Sequence, residues 1–119
     1  MGFATRPYEG ASRVGHLAGT LEGADVFLSL HLGYASDGWK SDFQRRPVAW
    51  VSLRRAKTAH GAGVYRCRRY SGRSLRKALA DWTKIASEVR PLMASTTHDE
   101  IPSTGVFAGF VASDERAAS

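Results

Sequence analysis

Val26-Phe27-Leu28-Ser29-Leu30-His31-Leu32-Gly33-Tyr34 alternates along its whole length. Val26, Leu28, Leu30, Leu32 and Tyr34 fall on one side, with Phe27, Ser29, His31 and Gly33 on the other, which is the period of two expected of a half-buried β-strand. Upstream, residues 14–22 put Leu17, Gly19 and Leu21 on a common face, and Glu22-Gly23-Ala24-Asp25 supplies a turn, so the two segments predict an antiparallel hairpin. Downstream, residues 35–47 are polar, carry Ser36-Asp37-Gly38 as turn chemistry and predict a surface loop that includes Arg45 and Arg46. Alternation resumes over residues 48–55, a third strand, and residues 57–63 form a glycine-bearing connector to a fourth strand over 64–70. In that last strand Tyr65, Cys67 and Arg69 oppose Val64, Arg66, Arg68 and Tyr70.

The period then changes. Leu75, Ala78, Leu79, Trp82, Ile85, Ala86 and Val89 recur at helical spacing, while Arg73, Arg76, Lys77, Asp81, Lys84, Glu88 and Arg90 occupy the other side. Ser71 or Ser74 caps the start by accepting a bond from a backbone N–H that has no helical partner, and Pro91 ends the helix. Residues 95–102 are polar and predict a loop; residues 106–111 predict a last strand or an apolar clip over the core. The expected fold is α+β: an antiparallel sheet of four to five strands packed on one main amphipathic helix at about 73–90. Residues 1–12 are expected to form an N-terminal arm, 13–111 a single domain and 112–119 a flexible C-terminal tail.

The 119 residues suffice for one core that buries roughly two-thirds of the unfolded surface. Cys67 is the only cysteine, which excludes an intrachain disulfide and fits a reducing compartment. The first ten residues lack the apolar run of a signal peptide, no stretch is long enough to span a membrane, and a cytoplasmic protein is expected. Charge is segregated. Residues 40–90 hold 14 of the 17 Lys and Arg against Asp42, Asp81 and Glu88, a local net of +11, whereas the two flanks are each net acidic. A field of that sign attracts polyanions, nucleic acid first and an acidic protein surface second. Arg outnumbers Lys by 13 to 4, and its planar guanidinium suits phosphates and bases.

With Leu28, Leu30, Leu32, Ala49, Val51, Leu53, Tyr65 and Cys67 assigned to the core face, the opposite face gathers Phe27, His31, Trp50, Arg54, Arg66, Arg68 and Tyr70. Rings that stack on bases beside guanidiniums that neutralise phosphate make an inventory for single-stranded nucleic acid. Trp50, Phe27 and Tyr70 are the expected stacking platforms, with Arg54, Arg66, Arg68, Arg69, Arg73, Arg76 and Lys77 as phosphate contacts. In element order, four strands and then a helix, the chain is similar in outline to the Whirly and transcriptional-coactivator type of single-stranded DNA-binding protein, and the resemblance implies the same function. The expected activity is thus non-enzymatic binding of single-stranded DNA or RNA, without metal or cofactor.

Two other classes compete. Phe27 and Trp50 would equally pack on the C-terminal run or on a second copy in a homodimer, or serve an inhibitor or regulatory subunit whose basic patch docks on an acidic partner or in a nucleic-acid channel. A small metal-independent ribonuclease would use His31 and His60 as acid and base with arginines on the phosphate. The four histidines are scattered, and none pairs with another at the spacing of a helical metal site.

Overall fold

The structure, a computed structural model, describes residues 12–36, 45–59, 61–100 and 104–118. Five strands, β1 (Ser12–Leu21), β2 (Ala24–Ser36), β3 (Arg45–Arg55), β4 (Val64–Ser71) and β5 (Ser95–Glu100), and two helices, α1 (Leu75–Val89) and α2 (Thr104–Ala118), make an α+β fold. The strands form one antiparallel sheet in the order β4-β3-β2-β1-β5. Residues 1–11 of the expected N-terminal arm, the loop segment 37–44 and His60 lie outside the described residues, while Ser12, assigned to that arm, opens β1.

β1 and β2 pair through a two-residue turn at Glu22 and Gly23, whose φ angles of 52° and 81° are the left-handed values of the tight hairpin turn. Gly23 adopts such a φ freely; Glu22 does so at a cost. The alternation of β2 orders everything beside it. Leu28, Leu30 and Leu32 are 0%, 0% and 1% exposed and stand across from Leu53, Val51 and Ala49 of β3, with Leu17 of β1 opposite Leu28. Full burial of one such leucine is worth about 1.5–3 kcal/mol.

β1 to β4 form a meander, but β5 lies beyond β1, so the chain crosses the sheet after β4. Four strand spacings are about 19 Å. The 15 residues of α1 extend about 22 Å, enough for the crossing. Its stripe is the expected one: Leu75, Ala78, Trp82 and Ala86 are buried, with Leu79, Ile85 and Val89 half-buried against the same core. At its start, in a short 3-10 turn at Gly72–Ser74, the Ser71 N–H donates to Ser74 Oγ (3.2 Å), whose hydroxyl donates to the Ser71 carbonyl (2.7 Å). Pro91 sits in the 3-10 turn Arg90–Leu92 that ends the helix.

Several boundaries differ from the sequence expectation. β2 and β3 extend into the predicted loop, pairing Ser36 with Arg45 and Ala35 with Arg46, because two paired strands prolong each other through backbone bonds whatever their side chains. The predicted polar loop at 95–102 holds β5, which pairs with β1 as an outer strand. Residues 106–111 are not a strand: they lie over the core, as the clip alternative expected, but as part of the helix α2, which continues across the segment assigned to a tail. Phe107 of α2 joins the core and Phe110 meets Tyr34 at 5.2 Å between ring centroids, so both helices lie on the same side of the sheet. No helix of the described residues is long and apolar enough to cross a membrane.

The left-handed Glu22 is a local weakness that a better turn residue corrects. Glu22→Asn is expected to raise the unfolding free energy by about 0.5–1 kcal/mol, read as a shifted urea midpoint at unchanged slope.

Candidate functional site

Only one face of the sheet carries the helices. The other is built from three rows of side chains set by strand register: Ala18, Phe27, Arg54 and Tyr65; then His16, Ser29, Ser52 and Cys67; then Arg13, His31, Trp50 and Arg69. In a regular strand Arg13 and His16, three apart, would point to opposite faces. The β1–β2 register slips by one residue between Arg13 and Gly15, and the slip brings both onto this face.

The middle row is small. Ser29 and Ser52 are buried at 7% exposure beneath taller neighbours, and a pocket of about 380 Å³ opens over them. Phe27 and Tyr65, both half-buried, line its aromatic end, with Arg54 beside them; His31 and Arg13 line the other end. The His16 ring lies nearly parallel to that of Phe27 at 6.3 Å, and its Nδ1 is 3.1 Å from Ser29 Oγ. The Arg54 guanidinium sits 5.4 Å from the centre of the Phe27 ring, a cation–π contact that holds the cation at the pocket mouth. None of the described lining residues carries a carboxylate. His31 is pushed down to about 4, chiefly by burial and then by the charges of Arg13 and His16, so its imidazole is neutral at neutral pH. Burial likewise raises the Cys67 thiol, leaving it unreactive. The described residues hold no group of three or more His, Cys, Asp or Glu that could bind a metal ion.

The predicted site residues divide accordingly. Phe27, His31 and Arg54 converge on the pocket, and Arg69 is exposed at its β4 side. Trp50 lies on this face as expected but is 3% exposed, so its ring offers no surface to a ligand; its Nε1 has no hydrogen-bond partner among the described residues. β4 is turned over relative to the expectation. Arg66, Arg68 and Tyr70 stand opposite Leu53, Val51 and Ala49 on the helix-bearing face, whereas Tyr65 and Cys67, assigned to the core, belong to the open one.

Tyr70 is 3% exposed and donates a 2.8 Å hydrogen bond to Asp81 Oδ2 on α1. Burial and that carboxylate push its phenol up to about 12. It clamps helix to sheet and is not a stacking platform. Helix cover thins at this outer strand, so Arg66 and Arg68 stay exposed on the same face, Arg68 lying over the Tyr70 ring at 5.2 Å. Arg73 and Lys77 are exposed; Arg76 is taken up by an ion pair with Glu115 of α2. The C-terminal run does not pack on Phe27 and Trp50, because α2 occupies the other face.

Arg13, His16, Ser29, Ser52 and Tyr65 were not among the predicted residues. The turn at Glu22-Gly23 fixes His16 opposite Ser29 and so signals that pair; nothing in the sequence signals the slip that adds Arg13. Beside Leu28, Val51, Leu53 and Ile85 on the helix side, a second groove of about 400 Å³ opens between β4 and α1, rimmed by Arg66, Arg68 and Lys84 but also by Asp81 and Glu88. Compared with known proteins, the chain matches no family model, no curated protein and no solved structure.

Two measurements check this geometry. Trp50→Ala is expected to cost about 3–5 kcal/mol of stability in urea unfolding, as for a buried aromatic side chain removed from a core. His31 has a native pKa near 4 against an ordinary 6.5, so the unfolded chain takes up a proton between those values that the native state refuses. Stability from this residue is intact above pH 6.5, falls as pH drops towards 4 and levels off below; in His31→Gln the decline between pH 6.5 and 4 is expected to be shallower by that contribution.

Proposed function

We propose that the protein is a non-enzymatic, cytoplasmic nucleic-acid-binding protein that takes single-stranded DNA or RNA across the open face of its sheet. The observation that carries this reading is the pairing of half-buried rings, Phe27 and Tyr65, with Arg13 and Arg54 around a pocket whose described lining has no carboxylate. Bases stack on rings without sequence preference, while guanidiniums hold the phosphates that connect them. Exposed Arg69 and Arg73, with Arg66, Arg68 and Lys77 beyond the β4 edge, continue the cationic surface away from the pocket and give a strand somewhere to run. Trp50 and Tyr70 have structural roles in this reading, and Arg76 is engaged with Glu115.

A second reading has its own support. The groove between β4 and α1 has an apolar floor and a rim of three cations and two carboxylates, and among the described residues β4 is an outer strand whose far edge pairs with no other strand. An acidic partner segment adding to that edge would make the protein an inhibitor or regulatory subunit. The ribonuclease reading rests on His31 with His60, and His60 lies outside the described residues.

Fluorescence anisotropy with labelled single-stranded DNA, single-stranded RNA and duplex DNA over a salt series decides between them. Preference for a single strand, with a log-log salt slope of about −0.7 per phosphate neutralised, is expected. Arg54→Ala with Arg69→Ala should flatten the slope by about 1.4, and Tyr65→Ala should cost about 1–3 kcal/mol in affinity. Binding to none of the three polymers, or slopes unchanged by these substitutions, overturns the reading.

A further inference from the structure

The open-face pocket has polarity along its length as well as across it. Phe27, Arg54 and Tyr65 define one end, His31 and Arg13 the other, four residues further along β2, which is about 13–14 Å at the rise of a strand. Between them Ser29 and Ser52 form a floor of hydroxyls. A planar ring fits the aromatic end, where Arg54 already lies on Phe27 and shows that a flat cationic or heteroaromatic group is accommodated there. An anion fits the far end, where Arg13 stands beside a neutral imidazole that donates or accepts a hydrogen bond without adding charge. At about 380 Å³ the pocket lies in the range of small-ligand sites.

We propose that this pocket seats one nucleoside monophosphate unit, with its base against Phe27 and Tyr65, its polar edge over the Ser29 and Ser52 hydroxyls, and its phosphate on Arg13. The unit is either one nucleotide of a bound strand or a free mononucleotide; only the first source rests on the function proposed above. The charge balance disfavours the bare nucleoside as the best ligand, because Arg13 and Arg54 line the two ends of a pocket whose described lining offers no counterion. The middle row excludes a merely flat stacking surface, because its small side chains recess the floor below the rings.

The test is isothermal titration of the full chain with 5′-AMP, adenosine and inorganic phosphate, and with a ten-residue oligo(dA), repeated on three variants. Arg13→Gln and Arg54→Gln alter exposed positions. Ser52→Phe fills the floor, and circular dichroism establishes that each variant is folded. The expected result is 5′-AMP binding at least tenfold tighter than adenosine or phosphate, with at least a tenfold loss in Arg13→Gln and in Ser52→Phe. Should Ser52→Phe fail to fold, the Arg13→Gln loss decides alone. If 5′-AMP alone binds, the pocket is a mononucleotide site and the strand-binding function fails. If oligo(dA) binds but 5′-AMP does not, and Arg13→Gln and Ser52→Phe leave oligo(dA) affinity unchanged, the pocket proposal is overturned while the strand-binding function stands. Phosphate binding as tightly as 5′-AMP also overturns it, as does binding of neither nucleotide form, which overturns both.

Discussion

The row Leu28, Leu30 and Leu32 in the second strand is the constraint from which the rest follows. β2 is the middle strand of five, so the face on which those leucines stand must be covered, and nearly complete exclusion from water shows that it is. Because side chains alternate, covering that face leaves Phe27, Ser29 and His31 on the other, where no helix of the described residues lies. The two helices therefore have no freedom to divide themselves between faces: α1 crosses the leucines on its way from the β4 edge to β5, and α2 brings Phe107 into the same core and Phe110 onto Tyr34. The open face is a consequence of the covered one. The pocket exists there because the residues at the centre of that face are serines, too short to fill the space between Phe27 and Tyr65 on one side and His31 on the other.

How much of this was legible in the sequence follows from how strong each local signal was. β2 and α1 announce themselves, since each has a long run of one period, and the core residues of both stand where that period puts them. β5 carries no such signal: Ser95-Thr96-Thr97-His98-Asp99-Glu100 has no apolar alternation, yet it pairs with β1 as an outer strand. Polar and charged outer strands are common because they discourage pairing with other chains, and the same property hides them from a reading based on hydrophobicity. α2 was hidden for the opposite reason. Its run Val106-Phe107-Ala108-Gly109-Phe110-Val111 is apolar almost throughout, and a short apolar run does not distinguish a strand from a buried helix.

The candidate site was legible in part, and the largest difference has its physical origin at β4. Val64-Tyr65-Arg66-Cys67-Arg68-Arg69-Tyr70 places apolar residues on both phases, so alternation cannot decide which way the strand faces. What decides it is contact across the structure: Tyr70 reaches Asp81 on α1 and fills the gap beside Ala49, and with Tyr70 turned in, Arg66 and Arg68 follow to the same side while Tyr65 turns out. One residue of phase thus exchanged a predicted stacking ring for a structural one. Trp50 was placed on its proper face but not at its proper depth, since period gives direction and never burial. Arg13 lies beyond any reading of period, because it joins the site through a slip in register.

These placements also separate two meanings of the positive charge. Arg66 and Arg68 lie on an outer strand, where cations guard an unpaired edge against other chains, and a solvated helix face explains Lys77 and Lys84 equally well. Charge there has an explanation that needs no ligand. Arg13 and Arg54 differ in kind. They line the two ends of one recess, Arg13 beside a histidine whose protonation burial and that cation disfavour, and no described carboxylate lines the recess. Guarding an edge does not account for cations on β1 and β3, which are inner strands of the sheet. The recess, with far fewer cations than the basic strip beside it, therefore carries more of the argument for a polyanionic partner than the net charge of the chain does.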